Sequence, residues 1–560
     1  MSLKHEPPAG EGRDLPCTVR TPLGELAGVE RSDGLRIFRG IRYAEAPTGA
    51  LRWRPPVPAG PWTGVRTALQ FGPACVQVRS VAGSIYGSDP PRTSEDCLFL
   101  NVWAPPGANG APVMVWLHGG ALRGGDPASG MYDGEALARQ GVVMVSLNYR
   151  LGVLGYLAHP ELTAQSPNAS SGNYGLLDQI AALRWVREHI ASFGGDPDNV
   201  TVFGESAGAL SAIELMVSPL ARGLFHKVIA QSGYLVSNPH LTQRRFGLPS
   251  AHEVGEALVR QLGANGIAQL RQMGAQALAE QAAAAGFDPQ ATIDGWVLPR
   301  QIVECFDRGE QAAVPMIAGF NDGEIRALRF FLPPLPETAA DYEAQVRRIF
   351  ADLAPRYLEQ YPAAQIEESA LAAARDAFYG WSAERLVRSQ ETLGFPSYLY
   401  YFAHSYPAQE ALRLEAFHAS ELPYEFGRIG AEEGWPALWP KPPDEPAERA
   451  LSAAIMSYFT SFARTGSPKA PGAAPWSRYG EEQAYLEFRA EPRAARRLHP
   501  GAFELHEEVI ARRRAAGTQH WYVNVGLASP PVPPPPSPER GAAADRGLSD
   551  ASIVPRRPGV

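Results

Sequence analysis

Residues 193–208 read FGGDPDNVTVFGESAG. Val200-Thr201-Val202-Phe203 is a short apolar, β-branched run, the composition of a buried strand. From Ala207 the chain runs AGALSAIELM, rich in helix formers. Ser206 therefore stands on a sharp strand-to-helix turn. Glycines on either side of the serine, Gly204 and Gly208, allow strand and helix to meet closely. Such a turn lifts the hydroxyl clear of the sheet. It also leaves the Ala207 N–H at a helix start, where developing negative charge is stabilised.

The rest of the chain supplies the surroundings of that turn. Residues 112–118 (PVMVWLH) and 142–147 (VVMVSL) are nearly continuous apolar strands, as in a sheet covered on both faces. Residues 173–190 have the pattern of an amphipathic helix stopped by Gly194-Gly195. Further strands are expected at 98–103, 228–231, 316–319, 397–402 and 485–488, and helices at 447–465 and 500–515. Residues 18–38 read as a β-meander that opens the fold. The alternation of β and α predicts an α/β fold with a large, mostly parallel twisted sheet flanked by helices. Residues 330–390 read as helical insertions capping the site.

Composition narrows the function classes. The chain has 560 residues, 45% hydrophobic and 20% charged, with a net charge of −8. That is the profile of a globular protein. It offers no basic footprint for nucleic acid. No run of about 18 apolar residues is present, so no membrane span is expected. No signal peptide is legible at the start, which leaves a cytoplasmic or a secreted location. The four cysteines lack metal-site spacing. Residues 1–16 are polar and Pro/Gly-containing, an expected mobile N-terminus. From about residue 526 the chain, with ASPPVPPPPSPERGAAADRG from Ala528, reads as a disordered tail. One domain is expected between these ends, over residues 17–525.

A hydrolytic serine needs a base, an acid to orient the base, and N–H donors for an oxyanion. His118-Gly119-Gly120-Ala121 follows a buried strand and is small enough for close backbone approach. Gly120, Ala121 and Ala207 N–H would form a three-donor oxyanion hole. At these residues the chain resembles the type-B carboxylesterase family, the carboxylesterase and cholinesterase group of α/β-hydrolases. FGGDPDNVTVFGESAG is similar to that family's active-serine signature. Residues 95–105, EDCLFLNVWAP, resemble its second signature, and residues 148–156, NYRLGVLGY, a recurring segment. The resemblance runs in order from about residue 20 to 510 and implies a single α/β-hydrolase domain.

The resemblance carries roles onto individual residues. His418, in AFHASELPYEFG, takes the place of the base, with Ala419 where glycine is usual. Counting from Gly319 puts Glu324 on the acid position, with Asp322 as its rival. Glu205 and Ser232 are implied as supporting polar groups. Cys75 and Cys97 bracket the loop that is bridged in the family, which implies a disulfide; two free thiols are the alternative. Leu122, Arg123 and Arg326 fall near the expected mouth as substrate contacts, the arginines as grips for a carboxylate-bearing ester. The expected activity is carboxylic ester hydrolysis through an acyl-enzyme, with no cofactor and no metal. The substrate is a small-molecule ester, without a nucleic acid or membrane partner, and the enzyme acts as a monomer or homodimer. An amide or carbamate hydrolase on the same groups, or a non-catalytic binding module, are the competing readings.

Overall fold

The computed structural model describes residues 14–87, 89–521 and 526–535. Its spine is a 13-stranded sheet. The chain enters through an antiparallel meander, β1 (Leu15–Thr21), β2 (Gly24–Glu30) and β3 (Arg36–Arg42). It continues through β4 (Phe99–Ala104), β5 (Ala111–Leu117), β6 (Val143–Leu147), β7 (Gly195–Glu205), β8 (Lys227–Gln231), β9 (Met316–Asn321), β10 (Ser397–Phe402), β11 (Ala484–Phe488) and β12 (Pro492–Arg496). The order across the sheet is β1-β2-β3-β4-β6-β5-β7-β8-β9-β10-β11-β12, with the short strand Val65–Thr67 beside β2. From β6 to β11 every neighbouring pair is parallel; the two ends are antiparallel, apart from Val65–Thr67, which runs parallel to β2.

The sequence dictates this burial. Along β5, Val113, Val115 and Leu117 enter one apolar cluster, whereas Met114 and Trp116 enter another on the opposite face. Helices α1 (Tyr174–His189) and α2 (Ala207–Val217) supply Leu176, Ile180, Leu183, Ala212 and Ile213 to the first cluster. The later helix Pro446–Thr465 supplies Leu451, Ile455 and Phe459 to the second. A strand buried on both faces has no polar side to alternate with, which is why these runs read as continuous apolar stretches.

Three expectations are corrected, and one strand is added. Leu15 and Pro16 belong to β1, so the fold begins inside the stretch read as a mobile N-terminus; residues 1–13 lie outside the described residues. Residues 526–535 are packed rather than free. Leu527 is 3% exposed and Val532 6%, the Val532 N–H donates to Ile349 O at 2.7 Å, and Arg513 donates to Pro530 O at 2.8 Å. Residues 522–525 and 536–560 of the expected organisation lie outside the described residues. Cys75 and Cys97 are both buried and both free thiols. A hydrogen bond joins their side chains, and the Leu151 N–H donates to Cys75 Sγ at 3.2 Å. The loop they bracket is closed instead by a two-strand ladder, Ala74–Cys75 with Thr93–Ser94, and by the Arg52–Glu95 pair at 2.6 Å. Finally, strand β12 was not anticipated from the sequence. Among the described residues no helix is long and apolar enough to cross a membrane.

Candidate active site

The site lies at the C-terminal ends of the parallel strands, where crossovers leave a crevice. Ser206 joins β7 to α2 with φ 57° and ψ −121°, a backbone pair that costs free energy unless its surroundings enforce it. They do. The Ser206 N–H donates to Gln231 O at 2.9 Å, and the Leu210 N–H returns to Ser206 O at 2.9 Å. Any Cβ on Gly208 would sit 2.0 Å from Leu117 O. The tightness of this crossing explains the flanking glycine.

The loop after β5 curls towards the same spot. Gly120 and Ala121 both have positive φ, 112° and 54°. Among the described residues neither N–H donates to a protein acceptor, and the Ala207 N–H lies at the free start of α2. Around the loop, His118 Nδ1 bonds Gly119 O at 2.9 Å and its ring stacks on Tyr149 at 4.5 Å. Burial pulls the His118 pKa down to about 4, so this imidazole is neutral and serves as a brace. Gln77 clamps Gly125 with two bonds of 2.9 Å: the Gly125 N–H donates to Gln77 Oε1, and Gln77 Nε2 donates to Gly125 O.

Opposite the serine sits His418, 6% exposed. Its Nδ1 is 2.5 Å from Glu324 Oε2, and its Nε2 is 3.0 Å from Glu205 Oε1. Glu324 is fully buried and immobilised on its other oxygen. Ser232 Oγ donates to Oε1 at 2.6 Å and the Asn321 N–H at 2.8 Å. Burial depresses the imidazolium of His418, but the carboxylates of Glu205 and Glu324 outweigh it and hold its pKa well above the ordinary value. Between the two acid candidates the geometry discriminates: Asp322 turns away and accepts from Arg375 at 2.7 Å and from the Tyr401 hydroxyl.

Further acids crowd beneath. Glu421 accepts from Asn321 at 2.5 Å, and Glu425 from Gln231 at 2.7 Å. Burial, with Glu205 and Glu324 nearby, pushes Glu421 up to about 8, so it is mostly protonated at neutral pH. Tyr86, from the loop between the two cysteines, donates from its hydroxyl to His418 O at 2.9 Å. Ala419 has φ 69°, a left-handed position where glycine avoids the Cβ penalty.

All of this opens into a cavity of about 400 Å³. Its walls are aromatic, with Tyr86, Tyr132, Phe331, Phe378, Tyr379 and Trp439 among them, and Gly120, Ala121, Ser206 and His418 at its base. The mouth residues expected from the sequence do not line it. Leu122 is buried at 3% exposure and faces the core. Arg123 is paired with Asp288 at 2.7 Å and Arg326 with Glu368 at 2.5 Å. Both cations are already neutralised, so the expected grip on a carboxylate-bearing ester is corrected. Sequence reading missed Tyr379, Trp439, Gln77, Tyr149 and Glu421. Of these only Glu421 carried a local signal, three residues after His418.

The profile of the carboxylesterase family matches residues 16–505. Fumonisin B1 esterase of Sphingopyxis macrogoltabida is 39% identical over 438 residues, covering 76% of this chain and 77% of its own. A medium-chain fatty acyl-CoA hydrolase precursor of Anas platyrhynchos is 32% identical over 548 residues, covering 90% and 93%. Among solved structures, a PNB esterase superposes with a TM-score of 0.75 at 31% identity, over 87% of this chain and 99% of its own. The chain belongs to the carboxylesterase family. Its fold is that of the α/β-hydrolases, and it is a carboxylic ester hydrolase.

Proposed function

We propose that hydrolysis proceeds through an acyl-enzyme on Ser206, with His418 as base and Glu324 as its orienting acid. The observation that carries this reading is the 2.5 Å contact from Glu324 Oε2 to His418 Nδ1, at the base of the cavity that Ser206 enters from its turn. A carboxylate on Nδ1 fixes the tautomer that leaves Nε2 free to take a proton. Nε2 contacts Glu205 at 3.0 Å when the imidazole is protonated; once that proton has passed to solvent, the bare Nε2 turns to Ser206 Oγ as substrate fills the cavity. Oγ gives its proton to Nε2 and bonds to the carbonyl carbon. The carbonyl oxygen becomes an oxyanion held by the N–H groups of Gly120, Ala121 and Ala207. Each such donor is worth about 3–4 kcal/mol of barrier. Collapse breaks the bond to the alcohol oxygen, which leaves with the proton from Nε2. Water then repeats the sequence on the acyl-serine and releases the acid.

The aromatic cavity supports neutral, apolar esters as substrates. The names of the relatives, a fumonisin B1 esterase and a medium-chain fatty acyl-CoA hydrolase precursor, support hydrolysis at an acyl group. The test is hydrolysis of p-nitrophenyl acetate, butyrate and octanoate by the wild type and by Ser206→Ala. The variant is expected to lose about 10⁵-fold or more in kcat, and a fluorophosphonate is expected to label the wild type at Ser206 alone. Turnover retained in the variant would refute the assignment.

A further inference from the structure

The cavity wall that faces His418 is built on an irregular turn. Helix α3 (Ile366–Arg375) runs directly into a π-helical turn, Asp376–Gly380, and then into helix α4 (Trp381–Thr392). A π-turn holds an extra residue and is rare outside functional places. Here it carries Phe378 and Tyr379 into the cavity. The Tyr379 ring lies 5.2 Å from that of His418, and Phe378 stacks on Tyr234 at 4.8 Å.

Arg375, the last residue before the turn, bonds both to the loop that carries Glu324 and to the first residue of the turn. Its Nη1 donates to Asp322 Oδ1 at 2.7 Å, and its Nε to Asp376 Oδ1 at 2.8 Å. Asp322 also accepts from the Tyr401 hydroxyl, and its residue stands two before Glu324 on the same short loop. Asp376 opens the π-turn and accepts from Tyr361 at 3.1 Å, with His499 Nδ1 also at 3.1 Å. One guanidinium, its side chain 11% exposed, thus ties the loop that presents Glu324 to the turn that presents Tyr379. The rigid fork of arginine can hold two carboxylates in fixed relative positions; the single ammonium of lysine cannot.

We propose that Arg375 is a positioning residue of the hydrolysis, holding Glu324 and Tyr379 in register against His418 through Asp322 and Asp376. This rests on the reading of Glu324 and His418 given above. Arg375 touches no reacting atom, so its effect passes through the carboxylate on Nδ1.

The test is the pH dependence of kcat/KM for p-nitrophenyl butyrate in Arg375→Met. The groups facing His418 are Glu324 from its loop, Glu205 from the end of β7, Tyr86, Tyr379 from the π-turn, and Glu421 on its own segment. None of them is altered. If the Glu324 contact loosens, the acid limb moves to lower pH by about half a unit or more, and kcat/KM falls up to about a hundredfold. Loss of a nearby positive charge alone would move the limb the other way, so the sign separates positioning from plain electrostatics. An unchanged or raised limb overturns the proposal. Should Arg375→Met fail to fold, Arg375→Lys decides: the charge is kept, the fork is lost, and only a downward shift supports the proposal. Fluorophosphonate labelling of the wild type at Ser206 keeps the two readings apart. Labelling with an unmoved limb removes the positioning role alone, whereas no labelling removes the acyl-enzyme reading.

Discussion

At the scale of single residues, the decisive feature is an imidazole held between two carboxylates. His418 has Glu324 on one nitrogen and Glu205 on the other, and its pKa is raised well above the usual imidazole value of about 6.5. A base works only when deprotonated. Because the folded pKa is raised, the active form populates only as pH climbs through that raised value. Activity is therefore expected to keep rising above about pH 7.5, where an unperturbed histidine would already be on its plateau. Glu205→Gln removes one of the two charges, so its acid limb is expected to shift to lower pH; a kcat/KM profile superposable on the wild type would contradict this. Arg326→Ala is expected to leave the ratio of kcat/KM for charged over neutral esters unchanged, because its guanidinium is spent on Glu368. Ser206 and His418 were legible as motif residues, and Glu324 by its distance from Gly319. The partner of Arg326 was not, since Glu368 lies far along the chain and only folding brings it near.

At the scale of elements, the strand-to-helix turn is the least tolerant part. In Gly208→Ala the new Cβ would meet Leu117 O at 2.0 Å, against backbone that cannot move without shifting β5 and the oxyanion loop behind it. We expect kcat/KM to fall about a hundredfold or more with a lowered Tm, measured by ester hydrolysis and thermal unfolding. Central strands were legible because they are buried on both faces and thus uniformly apolar. Strand β12, Pro492–Arg496, was not, because it is an exposed edge of proline, arginine and alanine whose pairing with β11 supplies the only reason to be a strand. The π-turn was hidden for a different reason. The sequence ARDAFYGW carries no local mark of an extra residue, and the partners that Arg375 and Asp376 meet, Asp322 and His499, lie over 50 residues away.

At the scale of the whole molecule, the described chain reaches further than composition suggested. Leu527 and Val532 join the main core, against helix Ala339–Phe350 and its neighbours. A proline-rich stretch with two apolar residues shows no periodicity, so nothing in the sequence distinguishes it from an unpacked tail. The double variant Leu527→Ala, Val532→Ala is expected to lose about 3 kcal/mol of stability, read as a lower midpoint in chemical denaturation, while kcat of the folded enzyme stays within about twofold because both residues lie away from the cavity. An unchanged midpoint would mean that this segment adds nothing to the fold. The π-turn has one more consequence at this scale. Its surplus residue rotates everything downstream by about 100° relative to an unbroken α-helix. This wall of the cavity is thus fixed by how many residues lie between Arg375 and Trp381, not only by which ones. Shortening that interval by one residue would turn Phe378 and Tyr379 out of the cavity without changing the identity of Ser206, His418 or Glu324. A substrate preference could therefore change here by a single deleted codon, a route unavailable to point substitution.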